Sequence, residues 1–485
     1  MKILFAASEG APFIKSGGLG DVMGALPSEI SRHDDIDEVM VVLPYYSQIK
    51  NNSEIKCDFA GDFYMPLAWR NSYVGVFKTV VGIKGIPGKK KTSVTYYFID
   101  NDEYFNRDTI YGHIDDGERF AYFSKAILEM CVNLAISPDI IHCNDWQTGF
   151  VPLFLKAHYN EALPGVRTVY TIHNIEYQGK ADPDFLSDVL GVDEFWRNVC
   201  TQDGLINAMK TAIVLSDKIT TVSQTYANEI RYEYFSNGLD SILNENQYKT
   251  CGIVNGIDML LFNPSTDKKL PFNYRPSAMA GKAKCKAALQ EAAGLPVNSD
   301  VPVVAMVTRL VKHKGLELVE WVADSLATMG IQFVVLGTGD SHYEDLFRFL
   351  NHVHPETVSA NILFDASFAS LVYAGADFLL MPSKSEPCGL SQLIAMRYGT
   401  VPIVRETGGL VDTVPPLNIE TLEGRGFTFK VFNAHDMLNA VERARDFFFD
   451  GDKLKKHRVN IMKIDSGWTE SAQKYMGLYK EISGT

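Results

Sequence analysis

Short runs of β-branched and aromatic residues recur along the chain, separated by longer amphipathic stretches. In the first half, residues 2–7, 39–43, 94–99, 140–142, 169–173 and 219–223 read as buried strands, with 118–134 and 205–215 as helices between them. The alternation restarts with 303–307, 333–336, 361–364, 378–381 and 402–404, again spaced by helical stretches. Strand alternating with helix predicts parallel sheets covered on both faces, and the restart predicts two of them. The expected class is α/β, with two facing doubly wound, Rossmann-like domains and a cleft between them. A chain of 485 residues exceeds what one hydrophobic core supports, which fits that division.

The junction is expected just after Asn255-Gly256, a turn signal, where Phe262-Asn263-Pro264 leads into a polar stretch. In the tail, Trp468, Tyr475 and Tyr479 stand at helical spacing. No repeat of solenoid period is visible. The basic run Lys89-Lys90-Lys91, set among Gly82, Gly85 and Gly88, reads as a solvated hairpin.

Composition narrows the classes. Hydrophobic residues make up 46% and charged residues 22%, and no apolar run approaches the roughly 20 residues of a bilayer span, which argues against an integral membrane protein. The first apolar run is too short for a leader and reads as a strand. Seven cysteines without a Cys-x-x-Cys spacing argue against a disulfide framework or zinc ribbon and suggest a reducing cytoplasm. A net charge of −13 disfavours nonspecific binding to nucleic acid or anionic membranes. The same field repels free nucleotides, so the few cations on strand-end loops become informative.

Four sets of segments could carry chemistry. Residues 383–414 place Glu386, Cys388, Gly389 and Leu390 after the strand 378–381, and Thr407-Gly408-Gly409 after the strand 402–404. Helices opening near Gly389 or Leu390 and near Gly409 would present free N–H groups at strand carboxyl ends, an arrangement suited to a diphosphate. Lys15-Ser16-Gly17-Gly18 follows the first strand and opens a helix; alone it is either a ligand loop or a structural turn. Arg309 and Lys314 lie on the loop after 303–307, either a phosphate clamp or a solvated basic loop. In the first half, Asp145-Trp146 and His173-Asn174 follow two buried strands, and their side chains suit sugar hydroxyls and a pyranose face. His142 reads as a satisfied buried histidine. No Asp-x-Asp pair or histidine cluster marks a metal in these loops, so no metal and no cofactor are expected.

Together, Lys15-x-Gly-Gly-Leu, Arg309-Leu-x-x-x-Lys314-Gly, Glu386-Pro-Cys-Gly-Leu, Arg397-Tyr-Gly-Thr and Thr407-Gly-Gly-Leu closely resemble the pattern of the bacterial glycogen and plant starch synthases, over nearly the full chain. The resemblance implies the GT-B architecture: an acceptor-side domain at 1–255, joined by a returning helix at 461–485, and a nucleotide-sugar domain at 256–460. It implies glucose transfer from ADP-glucose, rather than UDP-glucose, to an α-1,4-glucan with retention of configuration. Arg309 and Lys314 would clamp the diphosphate, with Lys15, Gly17, Gly18, Cys388, Gly389, Leu390, Thr407 and Gly408 also at the donor. Glu386 would hold the glucose hydroxyls, His173 would steady the ring, and Phe364 would stack on the base in place of the more usual tyrosine. Asp145, assigned to catalysis as well, would meet the acceptor with Trp146 and Asn174. Lys312 and His313 inherit no role. The resemblance favours same-face attack, but a double displacement through Glu386 or Asp145 stays open. So do another acceptor or a noncatalytic glucan-binding protein. A dehydrogenase is disfavoured because the turn after the first strand lacks Gly-x-Gly-x-x-Gly.

Overall fold

A computed structural model describes residues 1–83 and 92–484. The basic run at 89–91 lies outside the described residues. The chain divides into two compact units, Met1–Asn255 with Trp468–Thr485, and Gly256–Gly467.

The strands of the first unit are β1 (Lys2–Ala6), β2 (Glu38–Pro44), β3 (Asp58–Leu67), β4 (Arg70–Gly82), β5 (Ser93–Asp100), β6 (Ile140–Asn144), β7 (Arg167–Ile172), β8 (Lys180–Ala181), β9 (Thr201–Gln202), β10 (Leu205–Asn207), β11 (Lys218–Thr221) and β12 (Thr250–Gly252). Among the described residues, nine of them form one sheet in the order β12-β11-β7-β6-β1-β2-β5-β4-β3. The sheet is parallel from β12 to β5, and β4 and β3 extend it antiparallel. Every residue of β6 is buried, as expected where helices cover both faces. The sequence reading gave no bounds to β3 or β4, although the hairpin read at the basic run implies a strand before it, where β4 stands. Most of their residues are exposed or half-buried, and polar residues interrupt the continuous apolar run by which the other strands were read. A second correction concerns 205–215: Leu205–Asn207 is strand, and the helix is Ala208–Leu215. Asn207 sets that start by accepting the Lys210 N–H at 2.9 Å.

The second unit carries β13 (Val303–Val307), β14 (Gln332–Leu336), β15 (Val358–Asn361), β16 (Phe378–Met381), β17 (Val401–Arg405) and β18 (Phe427–Phe429), all parallel, in the order β15-β14-β13-β16-β17-β18. Strand order reverses between β13 and β16, and open α/β sheets bind ligands outside the carboxyl ends at such a point. The strand expected at 361–364 instead ends at Asn361. Phe364 is 90% exposed, and Asp365 caps the next helix, Ala366–Gly375, by accepting the N–H groups of Ser367 and Phe368 at 2.7 and 2.8 Å.

The returning segment begins at Trp468, not at 461. Helix Gly451–Met462 buries Leu454, Ile461 and Met462 in the core of the second unit. The last helix, Thr469–Ser483, belongs to the first unit, where Tyr479 bonds Nδ1 of the fully buried His142 at 2.7 Å and Thr171 bonds Nε2 at 2.6 Å. Burial holds this imidazole neutral, its pKa lowered to about 3. Among the described residues, no helix is long and apolar enough to cross a membrane.

Candidate active site

At the strand-order reversal of the second unit, the ends of β13 and β16 open a narrow pocket of about 40 Å³, lined by Thr308, Lys314, Ser383, Glu386, Gly389 and Leu390 among others. Glu386 is buried on the loop after β16. Lys314 Nζ donates to both of its carboxylate oxygens, at 2.9 and 2.7 Å, and Ser383 Oγ donates to Oε2 at 2.8 Å. Burial alone would raise this carboxyl's pKa, but the charge and hydrogen bonds of Lys314, with help from Ser383, outweigh burial and leave it below its ordinary value. Glu386 is therefore an anion at neutral pH, already matched to a cation.

The loop that carries Lys314 is held by close backbone approach. A Cβ on Gly315, whose φ is +76°, would stand 2.0 Å from the Pro382 carbonyl oxygen, so only glycine lets the two loops meet. On its other side, Leu310 donates to Thr338 O and Asp340 donates to Leu310 O, each at 2.8 Å. Arg309, next to Leu310 and with its carbonyl oxygen accepting the Val311 N–H at 3.0 Å, has an exposed side chain with no ion pair or side-chain hydrogen bond among the described residues. Its backbone is fixed and its guanidinium can reach for an anion.

Behind Glu386, the loop after β17 seats Thr407 and Gly408. Gly408 has φ +48°, and a Cβ there would lie 2.1 Å from the Glu386 carbonyl oxygen, which accepts the Gly409 N–H at 3.0 Å. Cys388 is buried, and helices Ser391–Arg397 and Gly409–Thr413 follow the two loops. Arg405, at the end of β17, donates to Lys384 O at 2.8 Å and lies 5.3 Å from the Phe432 ring, fixing the segment before Glu386. Phe364 is not brought into the pocket; it follows β15, the far edge strand of the sheet.

In the first unit, Asp145 and His173 meet at the carboxyl ends of β6 and β7. Asp145 has φ +57°, a conformation that non-glycine residues rarely hold. Its Oδ1 accepts the N–H groups of His173 at 2.8 Å and Asn174 at 3.3 Å. Burial raises its pKa to about 7 against the opposing pull of those two amides, and Glu9 adds repulsion. The His173 Nε2–H donates to Asn144 Oδ1 at 2.9 Å, because the Asn144 amide nitrogen is turned to Ala6 O and His142 O. Burial lowers the His173 pKa to about 3. The imidazole is neutral, with its Nδ1 lone pair left to accept from a hydroxyl.

Trp146 lines a cavity of about 410 Å³ with Tyr177, Asp116, Glu176 and Lys180. Asn174 uses its side-chain oxygen locally, accepting the Glu176 N–H at 3.0 Å. At the start of the helix Gly18–Ile30, Glu9 accepts the N–H groups of Ser16 and Gly17, so these two amides are not the open donors that the glycine pattern suggests. Lys15 pairs with Asp21 at 2.6 Å, and Gly18 faces open space.

Sequence reasoning missed Glu9, Asn144, Ser383 and Arg405, whose roles depend on which backbone they reach. It also missed Gly337-Thr338-Gly339, although a Gly-x-Gly directly after the strand 333–336 was a usable signal.

Two family models match. The starch synthase catalytic domain covers residues 2–245, and the glycosyl transferases group 1 family covers residues 290–446. Glycogen synthase of Exiguobacterium sibiricum is 45% identical, over 100% of this chain and 99% of its own. That of Lactococcus lactis is 44% identical, over 99% and 100%. The catalytic domain of starch synthase IV from Arabidopsis thaliana, solved bound to ADP and acarbose, superposes with a TM-score of 0.87 at 32% identity, covering 100% of this chain and 99% of that one. Sucrose-phosphate synthase from Thermosynechococcus elongatus, with a TM-score of 0.62 at 18% identity, shares the fold. Full-length identity at this level, two Rossmann-like sheets, the second wholly parallel, and a Lys–Glu pair at the second sheet's reversal make the chain a member of the glycogen and starch synthase family of glycosyltransferases.

Proposed function

We propose that the protein transfers glucose from ADP-glucose to the nonreducing end of an α-1,4-glucan, with retention of configuration. The observation that carries this reading is the Lys314–Glu386 pair in the pocket at the β13/β16 reversal, beside Gly389 and Leu390. An anion that already holds a cation can bind sugar hydroxyls, while the cation and nearby amides meet the departing diphosphate. Arg309, exposed on a fixed backbone, adds a second positive charge there. ADP as the nucleotide is supported by the Arabidopsis starch synthase IV domain, which was solved bound to it. The seven free cysteines fit a cytoplasmic setting.

Same-face attack suits these groups better than double displacement. Both oxygens of Glu386 are engaged by Lys314, which blunts it as a nucleophile, and Asp145 commits Oδ1 to two backbone amides. In this scheme the bond between the glucose anomeric carbon and the phosphate oxygen breaks, the acceptor 4-hydroxyl oxygen bonds that carbon on the same face, and its proton passes to the departing diphosphate. His173, neutral, accepts from a glucose hydroxyl through Nδ1. Trp146 and its cavity receive the glucan, and Lys15 and Gly18 serve the donor, the Gly17 amide being held by Glu9.

Parallel assays of labelled glucose transfer to glycogen from ADP-glucose and UDP-glucose, with EDTA present, test the reading. Incorporation from ADP-glucose is expected. Transfer from UDP-glucose alone overturns the donor, and silence from both in folded protein overturns the acceptor or the activity.

A further inference from the structure

We propose that Gln392 is a positioning residue of the donor site: its carboxamide locks two loops together and turns the N–H groups of Gly389 and Leu390 toward the donor. The proposal rests on the reading of the Glu386 pocket as a nucleotide-diphosphate site.

Gln392 is fully buried in the first turn of helix Ser391–Arg397. Its two Nε2 hydrogens are shared among three acceptors, Cys388 O at 3.0 Å, Gly389 O at 2.9 Å and Thr413 Oγ1 at 3.0 Å. Thr413 Oγ1 in turn donates to Gly409 O at 2.6 Å, and the Gly409 N–H donates to Glu386 O at 3.0 Å. The chain of bonds is closed: it starts at the Glu386 backbone, crosses to the loop after β17, and returns through Gln392 to the residues just after Glu386. The orientation of the amide is not arbitrary. Carbonyl oxygens can only accept, so the NH₂ must face Cys388 and Gly389, which leaves Oε1 without a donor among the described residues.

The consequence for the donor follows from peptide geometry. In a trans peptide the C=O and the next N–H point in opposite directions. With the carbonyls of Cys388 and Gly389 drawn in toward Gln392, the N–H groups of Gly389 and Leu390 are driven the other way. Both residues line the pocket beside Lys314 and Glu386, and among the described residues neither N–H has an acceptor. Gly389 is itself shaped by this contact, since a Cβ there, at φ +71°, would fall 2.4 Å from Gln392 Oε1. Burying an amide that leaves one oxygen unmatched costs stability. The geometry gains by it two aimed, unoccupied donors.

The test is ADP binding by calorimetry, with KM for ADP-glucose and for glycogen, in wild type, Gln392→Glu, Thr413→Val and the double variant. Gln392→Glu keeps the shape but removes both donor hydrogens, so the Kd for ADP is expected to rise about tenfold, and about threefold in Thr413→Val. The double variant should bind no worse than Gln392→Glu, because both substitutions open one chain of bonds. KM for ADP-glucose should rise in parallel while KM for glycogen stays unchanged, a split that a merely structural role would not produce. ADP affinities within twofold of wild type in the folded variants overturn the proposal, whatever their melting temperatures. If Gln392→Glu does not fold, Thr413→Val decides alone. Failure of the wild-type protein to bind ADP would instead overturn the nucleotide reading beneath it.

Discussion

Replacing Lys314 by methionine isolates what the Lys314–Glu386 pair does for the fold. Nζ lies 2.9 and 2.7 Å from the two carboxylate oxygens, and the side chains are 18% and 8% exposed. At an effective dielectric constant near 20, the gross attraction at this separation is about 6 kcal/mol, most of which offsets the desolvation of the two ions. Deleting the cation leaves a buried carboxylate unmatched, which costs about 3 kcal/mol, the low end for a buried pair because Lys314 keeps some contact with water. The sign of the pH dependence follows from Glu386. With Lys314 present, its pKa lies below the ordinary 4.5, and the stability it contributes is lost only as pH falls through that lowered value. Without Lys314, burial is left to raise the pKa, so the penalty is full at high pH and relieved as the carboxyl takes up a proton. Urea unfolding of wild type, Lys314→Met, Glu386→Gln and the double variant, at pH 8 and pH 5, is the assay. The single lysine variant should lose about 3 kcal/mol at pH 8 and clearly less at pH 5, and the double variant should lie within about 1 kcal/mol of wild type. A coupling energy below about 0.5 kcal/mol, or a loss independent of pH, would refute the reasoning.

Gly408→Ala forces a Cβ to 2.1 Å from Glu386 O at φ +48° and should cost about 3 kcal/mol, read as a lowered melting temperature and weakened ADP binding; a wild-type melt would show that the loops can part. Phe364→Ala should leave stability within about 0.5 kcal/mol of wild type, because the ring is 90% exposed, yet weaken ADP binding about tenfold if the ring stacks on the base; calorimetry checks both. Asp145→Asn keeps an oxygen for the His173 and Asn174 amides and removes the charge. Because the Asp145 pKa is raised to about 7, ionisation penalises the fold above that pH and not below the ordinary 3.8. The variant should therefore gain stability over wild type at pH 8 and show little difference at pH 4, with reduced turnover; equal melting shifts at the two pH values would count against the raised pKa.

Strands buried on both faces were legible because they are short continuous apolar runs, and β16, at 378–381, was read to the residue. The hairpin β3–β4 was not, since most of its residues are exposed or half-buried and polar residues break up its apolar ones. Phe364 illustrates the opposite error: an apolar run, Ile362-Leu363-Phe364, drew the strand to 361–364, while the folded strand is Val358–Asn361 and Asp365 already caps the next helix. The glycine-rich loops announced close backbone approach correctly, but not what approaches. At Gly17 the partner is the Glu9 carboxylate, and at Gly408 it is the backbone of Glu386.

By itself, the sequence determined the class, the restart into a second sheet and the family, because burial periodicity and loop motifs are local and survive in one dimension. Tertiary structure alone decided which groups hold one another: Lys314 with Glu386, 72 positions apart, His173 with Asn144, 29 apart, and Gln392 with Thr413, 21 apart. Charge pairing, tautomer and amide direction are set by atoms within about 3 Å, and only the folded chain brings those atoms together.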